Sequence, residues 1–363
     1  MEQSPFPHHG PLSPQQVTGR DDLAAELAQR VADRRLTALL GPRRYGKTSL
    51  LRRVVADIAD IGYETVWVDF YEMASMADVA AALDRGLDAL AGPLRKALDA
   101  LAHGLSLSVG MVGIEMSRPK RQQSDPVLVL RGLLDALVRA ADRHRICVVF
   151  DEFSGIANVP GAAGVLRSGL QHHFADLGIV FAGSETSTMT MLFSDRAQPF
   201  FAQADLVEIG PLSDAAVWEI VESGFAHTDR STGGLANRIV AMAQGHPQRA
   251  MQLADALWRH VPSGEAAEEF HWAAALSDVS GSVESGFERI YAMLPAGRQR
   301  TLRAIATSGS IYGRAAQVLG LAPGTAKAAT ESLTSSGHLR IRDGSLQIVD
   351  PLLDDWLRRR FPL

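Results

Sequence analysis

The chain has 363 residues, of which 46% are hydrophobic and 21% are charged. This composition is ordinary for a globular protein and excludes wholesale disorder, and the length allows two or three domains of ~100–200 residues each. No apolar run is long enough to span a membrane, and the opening residues lack the basic and apolar regions of a secretory leader. The single cysteine, Cys147, excludes an internal disulfide, so we expect a cytoplasmic protein with no membrane partner.

Charge is distributed unevenly along the chain. The net charge of −5 argues against a nucleic-acid ligand for the chain as a whole. Residues 284–363, however, carry 11 lysines and arginines against 7 acidic residues, whereas residues 1–283 carry 25 against 34. The sequence therefore predicts an acidic body followed by a mildly basic C-terminal part.

The first 16 residues contain four prolines and predict an extended arm. Beyond the arm, five short apolar runs alternate with stretches of helical periodicity, and they lie at 36–40, 65–70, 146–150, 179–182 and 206–209. This alternation predicts βαβ units, and therefore an α/β fold in which a parallel sheet has helices on both faces. We interpret residues 104–123 as a β-hairpin followed by a mobile basic loop.

The strand pattern ends after Pro211. Residues 213–283 have helical periodicity, and from 284 the sequence predicts three helices, a hairpin that turns at Asp343-Gly344, and a last helix that begins at Asp350-Pro351. Helices followed by a hairpin in this order are typical of a winged helix. We therefore expect three domains: an α/β domain of residues 1–212, a helical domain of residues 213–283 and a winged helix of residues 284–363.

The run GPRRYGKT, from Gly41 to Thr48, matches the P-loop pattern G-x-x-x-x-G-K-[ST] between a predicted strand and a predicted helix. Its glycines let backbone amides form one concave phosphate site; Lys47 would bind the β- and γ-phosphates, and the Thr48 hydroxyl would bind Mg²⁺. Pro42 has no amide hydrogen, so amides from about Arg44 onward must form the cradle. The predicted nucleotide-binding residues are Gly41, Pro42, Arg43, Arg44, Tyr45, Gly46, Lys47, Thr48 and Ser49.

Two of the later apolar runs are followed by polar side chains of the kind that hydrolyse a nucleotide. After residues 146–150 come Asp151, which would hold Mg²⁺, and Glu152, which would polarise the attacking water. The alternative is an ordinary polar turn, and the P-loop favours the catalytic interpretation. The fourth run is followed by Ser184, which could contact the γ-phosphate or could belong to a serine-rich loop without a role.

Three segments, GPRRYGKTSLL, VVFDEF and FAGSETSTM, resemble the AAA+ and STAND-type P-loop ATPases often called archaeal-type ATPases, in a form common in bacteria as well. The resemblance covers nearly the whole chain. It implies a P-loop ATPase core, a helical lid for residues 213–283, a winged helix, and ATP or ADP with Mg²⁺ as ligands. It also implies an adenine-side segment at Val17, Thr18, Gly19 and Arg20, although Asp21 stands where the family usually has glutamate.

The same resemblance implies roles for four further residues. Ser184 stands where the family has its sensor-1 residue, and Arg196 resembles an arginine that acts in trans in oligomeric relatives. Pro247 and Arg249, in GHPQR, resemble a lid motif that contacts nucleotide. For both arginines, an exposed side chain without a role is the alternative.

The predicted winged helix suits double-stranded DNA, since the helix after its turn commonly enters the major groove. The candidate DNA contacts are Thr325, Lys327, Thr330, Thr334, Arg340 and Arg342. The predicted helix carries one lysine and one glutamate, so its own charge attracts phosphate weakly. Two hypotheses remain: an ATP-hydrolysing switch that repositions the winged helix on DNA, and a STAND-like signalling scaffold that binds protein partners under nucleotide control and has no nucleic-acid ligand. A homo-oligomer is a separate alternative for the partner.

Overall fold

The computed structural model describes residues 2–89, 125–342 and 344–363. The hairpin and basic loop predicted for residues 104–123, and Asp343 of the predicted turn, lie outside these ranges. Among the described residues, no helix has the length and apolar content needed to cross a membrane.

The five predicted apolar runs form one parallel sheet with the strand order β2-β3-β4-β1-β5. The strands are β1 (Thr37–Leu40), β2 (Tyr63–Asp69), β3 (Arg145–Asp151), β4 (Gly178–Gly183) and β5 (Asp205–Glu208). Every residue of β1 and β4 is buried, which explains why these runs are continuously apolar rather than alternating. The parallel arrangement brings the carboxyl ends of β1, β3 and β4 to the same edge of the sheet.

Helices cover both faces of the sheet, as predicted. They are α1 (Asp21–Ala32), α2 (Lys47–Ala59), α3 (Met76–Asp88), α4 (Pro126–Ala141), α5 (Ala162–Leu170) and α6 (Thr186–Ser194). Helices α1 and α2 pack on one face, and α3 to α6 on the other. On the α3–α6 face, Phe153, at the start of a 3₁₀ turn after β3, lies among the rings of Phe150, Phe181 and Phe200 at centroid distances of 4.6 to 5.9 Å.

Residues 214–293, the central helical segment, consist of α7 (Asp214–Ala226), α8 (Ala236–Ala243), α9 (Pro247–His260) and α10 (Glu269–Met293). Helix α10 passes through the domain boundary predicted between residues 283 and 284 without a break. It ends at Met293, two residues before Pro295, because a proline disfavours the helical conformation in the residue that precedes it. Pro295 is the N-cap of the next helix. The change of charge at 284 therefore does not coincide with a change of element.

Residues 296–363, the C-terminal segment, contain the elements that the sequence predicts. They are α11 (Ala296–Ser308), α12 (Arg314–Val318), α13 (Pro323–Ser335), the antiparallel strands β6 (Leu339–Arg342) and β7 (Ser345–Ile348), and α14 (Pro351–Arg360). The Asp350 carboxylate accepts a hydrogen bond from the Leu352 amide and so caps α14. The C-terminal and central helical segments share one hydrophobic core, in which the Trp356 ring packs on Phe287 and Tyr291 of α10.

The N-terminal arm crosses the molecule instead of extending into solvent. Phe6 is buried against Phe225 of α7, with ring centroids 5.7 Å apart. A Cβ atom on Gly224 would lie 2.4 Å from the Phe6 ring, so glycine is needed where the arm passes α7. The arm ends in a short 3₁₀ helix at Pro14–Gln16, followed by α1. It therefore joins the central helical segment to the sheet.

Candidate functional site

A cleft of about 1260 Å³ opens at the carboxyl edge of the sheet. Its walls come from four parts of the chain: the arm, the P-loop with the ends of β3 and β4, the central helical segment, and the C-terminal segment. The site is therefore assembled from parts that are far apart in sequence. At this position in an open parallel sheet, a ligand is expected.

The P-loop joins β1 to α2, as its motif predicts. A Cβ atom on Gly41 would lie 2.3 Å from the Ile209 side chain, so only glycine lets the loop pass β5. Gly46 caps α2 with a φ of +88°, a left-handed conformation that favours glycine. Leu50 donates its amide to the Gly46 carbonyl at 2.8 Å, so the first turn of α2 is formed and its amino end faces the cleft.

Lys47 lies at the floor of the cleft with its side chain buried. Its ammonium donates hydrogen bonds to the carbonyls of Gly41 at 2.8 Å and Pro42 at 3.0 Å. Burial lowers the pKa of Lys47 to about 8, and the nearby carboxylates of Glu152 and Asp151 offset only part of this effect. A phosphate anion beside the ammonium would stabilise its charged form and so raise the pKa again.

Asp151 and Thr48 meet where β3 ends beside α2. The Thr48 hydroxyl donates to Asp151 Oδ2 at 3.0 Å, and the Glu152 amide donates to Asp151 Oδ1 at 3.1 Å. Burial raises the pKa of Asp151 to about 6, which the hydrogen bond from Thr48 partly opposes. These hard oxygen donors fit Mg²⁺, and the described residues hold no group of three or more histidine, cysteine or carboxylate ligands, so phosphate and water would have to complete its shell.

Glu152 is held at the cleft by Ser184. Its Oε2 accepts hydrogen bonds from the Ser184 hydroxyl at 2.7 Å and from the Ser184 amide at 3.2 Å. Strands β3 and β4 are neighbours, so their carboxyl ends place these two residues together. Glu152 has a φ of +47°, which is unusual for a residue with a side chain and is typical of strained functional positions.

Arg249 lies in the cleft wall but is bound to the C-terminal segment. Its guanidinium forms a two-point ion pair with Asp350, with Nε 3.0 Å from Oδ1 and Nη2 bonded to Oδ2. The same guanidinium lies 5.7 Å from the centroid of the Phe287 ring. Burial would raise the pKa of Asp350, but the ion pair with Arg249 outweighs it and keeps this pKa below its ordinary value. Pro247 begins α9 and also lines the cleft.

Two further contacts attach the C-terminal segment to the core. Tyr45 of the P-loop is turned away from the cleft, where its hydroxyl accepts a hydrogen bond of 2.6 Å from Arg340 of β6. The Tyr45 ring packs edge-on against His246, whose pKa burial lowers to about 4, so that the imidazole is neutral. On α6, the Ser187 hydroxyl lies 3.0 Å from that of Ser335, the last residue of α13.

The candidate DNA contacts lie in different environments. On α13, Thr325, Lys327 and Thr334 are exposed, whereas the half-buried Thr330 hydroxyl donates to a backbone carbonyl of its own helix. On β6, Arg342 is exposed and Arg340 is half-buried against Tyr45. The structure therefore brings one candidate DNA contact, Arg340, to the P-loop.

The structure does not bring the predicted adenine-side segment to the cleft. Val17 is buried with its carbonyl bonded to Arg53, and Arg20 donates to the Gly210 and Pro211 carbonyls. Thr18 is exposed, and Gly19 lies against Ala216 of α7. The arm residues that do line the cleft are Pro7, His8, His9, Gly10, Pro11 and Leu12.

The remaining predicted residues are placed as follows. Arg43, Arg44, Gly46, Thr48 and Ser49 line the cleft, and the Ser49 hydroxyl accepts a hydrogen bond from the Leu12 amide at 3.0 Å. Arg196 is exposed on the loop after α6 and lies outside the cleft. The sequence does not predict the position of the arm over the P-loop, because the prolines indicate only that the arm is extended.

The strand order and the P-loop between β1 and α2 give the chain the α/β fold of P-loop NTPases, a parallel sheet with helices on both faces. The chain is similar to the Walker-type ATPase PABY2304 of Pyrococcus abyssi, with 19% identity and a TM-score of 0.73 over 98% of this chain and 99% of that one. It is also similar to the ORC2 protein of Aeropyrum pernix, solved in ADPNP–ADP complexes, with 14% identity and a TM-score of 0.60 over 99% and 98% of the two chains.

A third similar structure is the ORC1 protein of Aeropyrum pernix in complex with DNA, with 15% identity and a TM-score of 0.50 over 94% and 93% of the two chains. No protein-family model and no curated protein matches the chain. At these identities the likeness is one of fold, and it confirms the fold class that the sequence predicts.

Proposed function

We propose that the protein binds and hydrolyses ATP, and that the nucleotide controls the position of the C-terminal segment, which binds double-stranded DNA when released. The observation that carries this proposal is the composition of the cleft. The P-loop, the Glu152–Ser184 pair, the start of α9 and the C-terminal segment all line it. A nucleotide bound there would contact each part that the switch has to move.

The chemistry of the cleft supports hydrolysis. Lys47 would bind the β- and γ-phosphates, while Thr48 and Asp151 would hold Mg²⁺, whose charge offsets that of the phosphates. Glu152, positioned by Ser184, would accept a proton from the attacking water. The water oxygen bonds to the γ-phosphorus as the bond to the β–γ bridging oxygen breaks, which gives ADP and inorganic phosphate. The similar ORC2 structure, which contains ADPNP and ADP, supports a nucleotide in this fold.

The ion pair between Arg249 and Asp350 supports the switch. The Arg249 guanidinium lies in the wall of the cleft, where a γ-phosphate would compete with the Asp350 carboxylate for it. The phosphate would also repel Asp350, since both are anions. Loss of this pair would remove one polar attachment of the C-terminal segment, which is also held by the Arg340–Tyr45 and Ser187–Ser335 contacts and by the hydrophobic core that it shares with the central helical segment.

DNA is the proposed partner because of the exposed face of α13 and β6. The side chains exposed there are those of Thr325, Lys327, Thr334 and Arg342. If Arg340 were released from Tyr45, its guanidinium would also be available to bind DNA. The ORC1 structure with DNA supports this use of the fold.

We expect duplex DNA to bind more tightly with ATP than with ADP. The measurement is fluorescence anisotropy of labelled duplex at low salt, with wild-type protein, a Glu152→Gln variant held with ATP, and a Lys47→Ala control that cannot respond to nucleotide. Because phosphate contacts weaken with salt, binding should also fall as the salt concentration rises. Failure to bind any duplex at low salt in either nucleotide would contradict the DNA part of the proposal.

A protein partner, or another copy of the chain, is the second candidate for the released segment. The observation that favours it is the exposure of apolar side chains there: Tyr312 is 61% exposed, Val318 65% and Ile341 70%. A dedicated partner that co-purifies with wild-type protein, and is lost in Lys47→Ala, would support this function in place of DNA binding.

A further inference from the structure

The P-loop carries two adjacent arginines, Arg43 and Arg44, whose exposed side chains line the cleft. Arg43 lies near enough to Lys47 for its charge to contribute to the lowering of the Lys47 pKa. Its guanidinium carbon is 5.9 Å from the centroid of the Tyr71 ring. Tyr71 follows the end of β2, and β2 pairs with β3 as far as Asp151, so this ring lies near Asp151. Arg43 therefore stands on the side of the loop where Mg²⁺ and the γ-phosphate are expected.

The other cations of the cleft already have partners. The Lys47 ammonium bonds to two P-loop carbonyls, and the Arg249 guanidinium is paired with Asp350. In the part of the chain that the structure describes, no ion pair joins Arg43 or Arg44 to a carboxylate. Arg249 can reach a phosphate only by leaving Asp350, whereas Arg43 and Arg44 have no carboxylate to leave among residues 2–89, 125–342 and 344–363.

The backbone of Arg44 is also unusual. Its φ is +67°, in the left-handed region that favours glycine, and Gly46 in the same loop has a φ of +88°. A residue with a long charged side chain thus occupies a strained position at the edge of a ligand cleft. Strain of this kind is typical of functional sites.

We propose that Arg43 and Arg44 act in cis on the γ-phosphate, supplying the positive charge that an arginine from a second subunit supplies in other phosphoryl-transfer enzymes. The inference rests on the proposed ATP hydrolysis. As the water oxygen bonds to the γ-phosphorus, its proton passes to Glu152 and the electron pair of the breaking bond passes to the β-phosphate of ADP. The two guanidiniums stabilise the charge on the transferring phosphoryl oxygens. Each chain then hydrolyses ATP without an arginine from a neighbour.

Two substitutions and one matched control test this role. Arg43→Ala and Arg44→Gly remove the guanidiniums, and glycine suits the left-handed backbone at residue 44. The control is Arg34→Gly, because Arg34 is also an exposed left-handed arginine, with a φ of +57°, but lies outside the cleft. The readouts are kcat at saturating Mg-ATP and the affinity for ADP with and without aluminium fluoride, which mimics the transferring phosphoryl group.

We expect the double variant to lose about 10²-fold or more in kcat, since a transition-state arginine contributes about 10³–10⁵-fold. It should also lose the gain in ADP affinity that aluminium fluoride gives the wild type, and the control should keep both. A double variant within twofold of wild-type kcat would overturn the inference. Recovery of the double variant's activity on mixing with Lys47→Ala protein would also overturn it. The Lys47→Ala chain keeps both arginines, so this recovery would mean that they act in trans.

The outcome is separable from that of the proposed function. If wild-type protein binds ADP but shows no ATP turnover, proposed hydrolysis is contradicted. The ADP affinity with aluminium fluoride would still test the inference. A gain in affinity that is lost in the double variant supports the role of the arginines, and a gain that the double variant keeps contradicts it.

Discussion

A Glu152→Gln variant is expected to bind ATP with nearly wild-type affinity and to hydrolyse it about 10²–10⁴-fold more slowly. Glutamine is close in size, and its carbonyl oxygen can accept the two hydrogen bonds that Ser184 now donates to the carboxylate. The side chain should therefore keep its position while losing the ability to accept a proton from water. The measurement is steady-state phosphate release together with equilibrium binding of labelled ATP.

Glu72→Gln is the matched control for this variant. Glu72 is also a glutamate in a left-handed conformation, with a φ of +54°, and it follows the neighbouring strand β2, but it is exposed and outside the cleft. Its substitution should leave turnover unchanged. Wild-type turnover in Glu152→Gln would show that another group accepts the proton.

An Asp350→Ala variant is expected to lose about 3–5 kcal/mol of unfolding free energy, because it leaves the buried Arg249 guanidinium without its carboxylate. The same substitution removes the cap of α14, a contribution of about 1 kcal/mol included in that range. In the proposed switch, the variant should also bind DNA without ATP, since one attachment of the C-terminal segment is gone. Thermal or urea unfolding measures the first effect, and anisotropy measures the second.

The control is Asp355→Ala on the same helix. Asp355 is half-buried and forms an ion pair with the exposed Arg359, so its loss should change the unfolding free energy by less than about 1 kcal/mol. If the two variants had the same stability, the Arg249–Asp350 pair would not attach the C-terminal segment in solution.

The sheet and the polar residues at its carboxyl edge could be predicted because their signals are local. Buried parallel strands give continuous apolar runs, and all five runs are strands within about two residues of the predicted limits. The P-loop motif predicts a strand before the loop and a helix after it. Asp151 and Glu152 stand directly at the end of an apolar strand. Parallel neighbours end at one edge, so Ser184 lies beside Glu152 by topology alone.

The attachments of the C-terminal segment could not be predicted because they join residues far apart in sequence. Asp350 is 101 residues from Arg249, and Arg340 is 295 residues from Tyr45. Each of these residues has a sufficient local explanation, as a helix cap, a surface arginine or a loop residue, so no pattern indicates the pairing. The resemblance implies an adenine-side segment at residues 17–20, whereas the arm reaches the cleft through residues 7–12 because Phe6 anchors it against α7.

A distance between spin labels at Asp60→Cys, after α2, and Glu331→Cys, on α13, measures whether the nucleotide state moves the C-terminal segment. Both positions are exposed, and the only native cysteine, Cys147, is buried with its pKa raised to about 12, so it should not react with the label. In a Glu152→Gln background, we predict longer distances with ATP and the distance of the present structure with ADP. One unchanged distance distribution, with both nucleotides shown to be bound, would show that the C-terminal segment does not move with the nucleotide state.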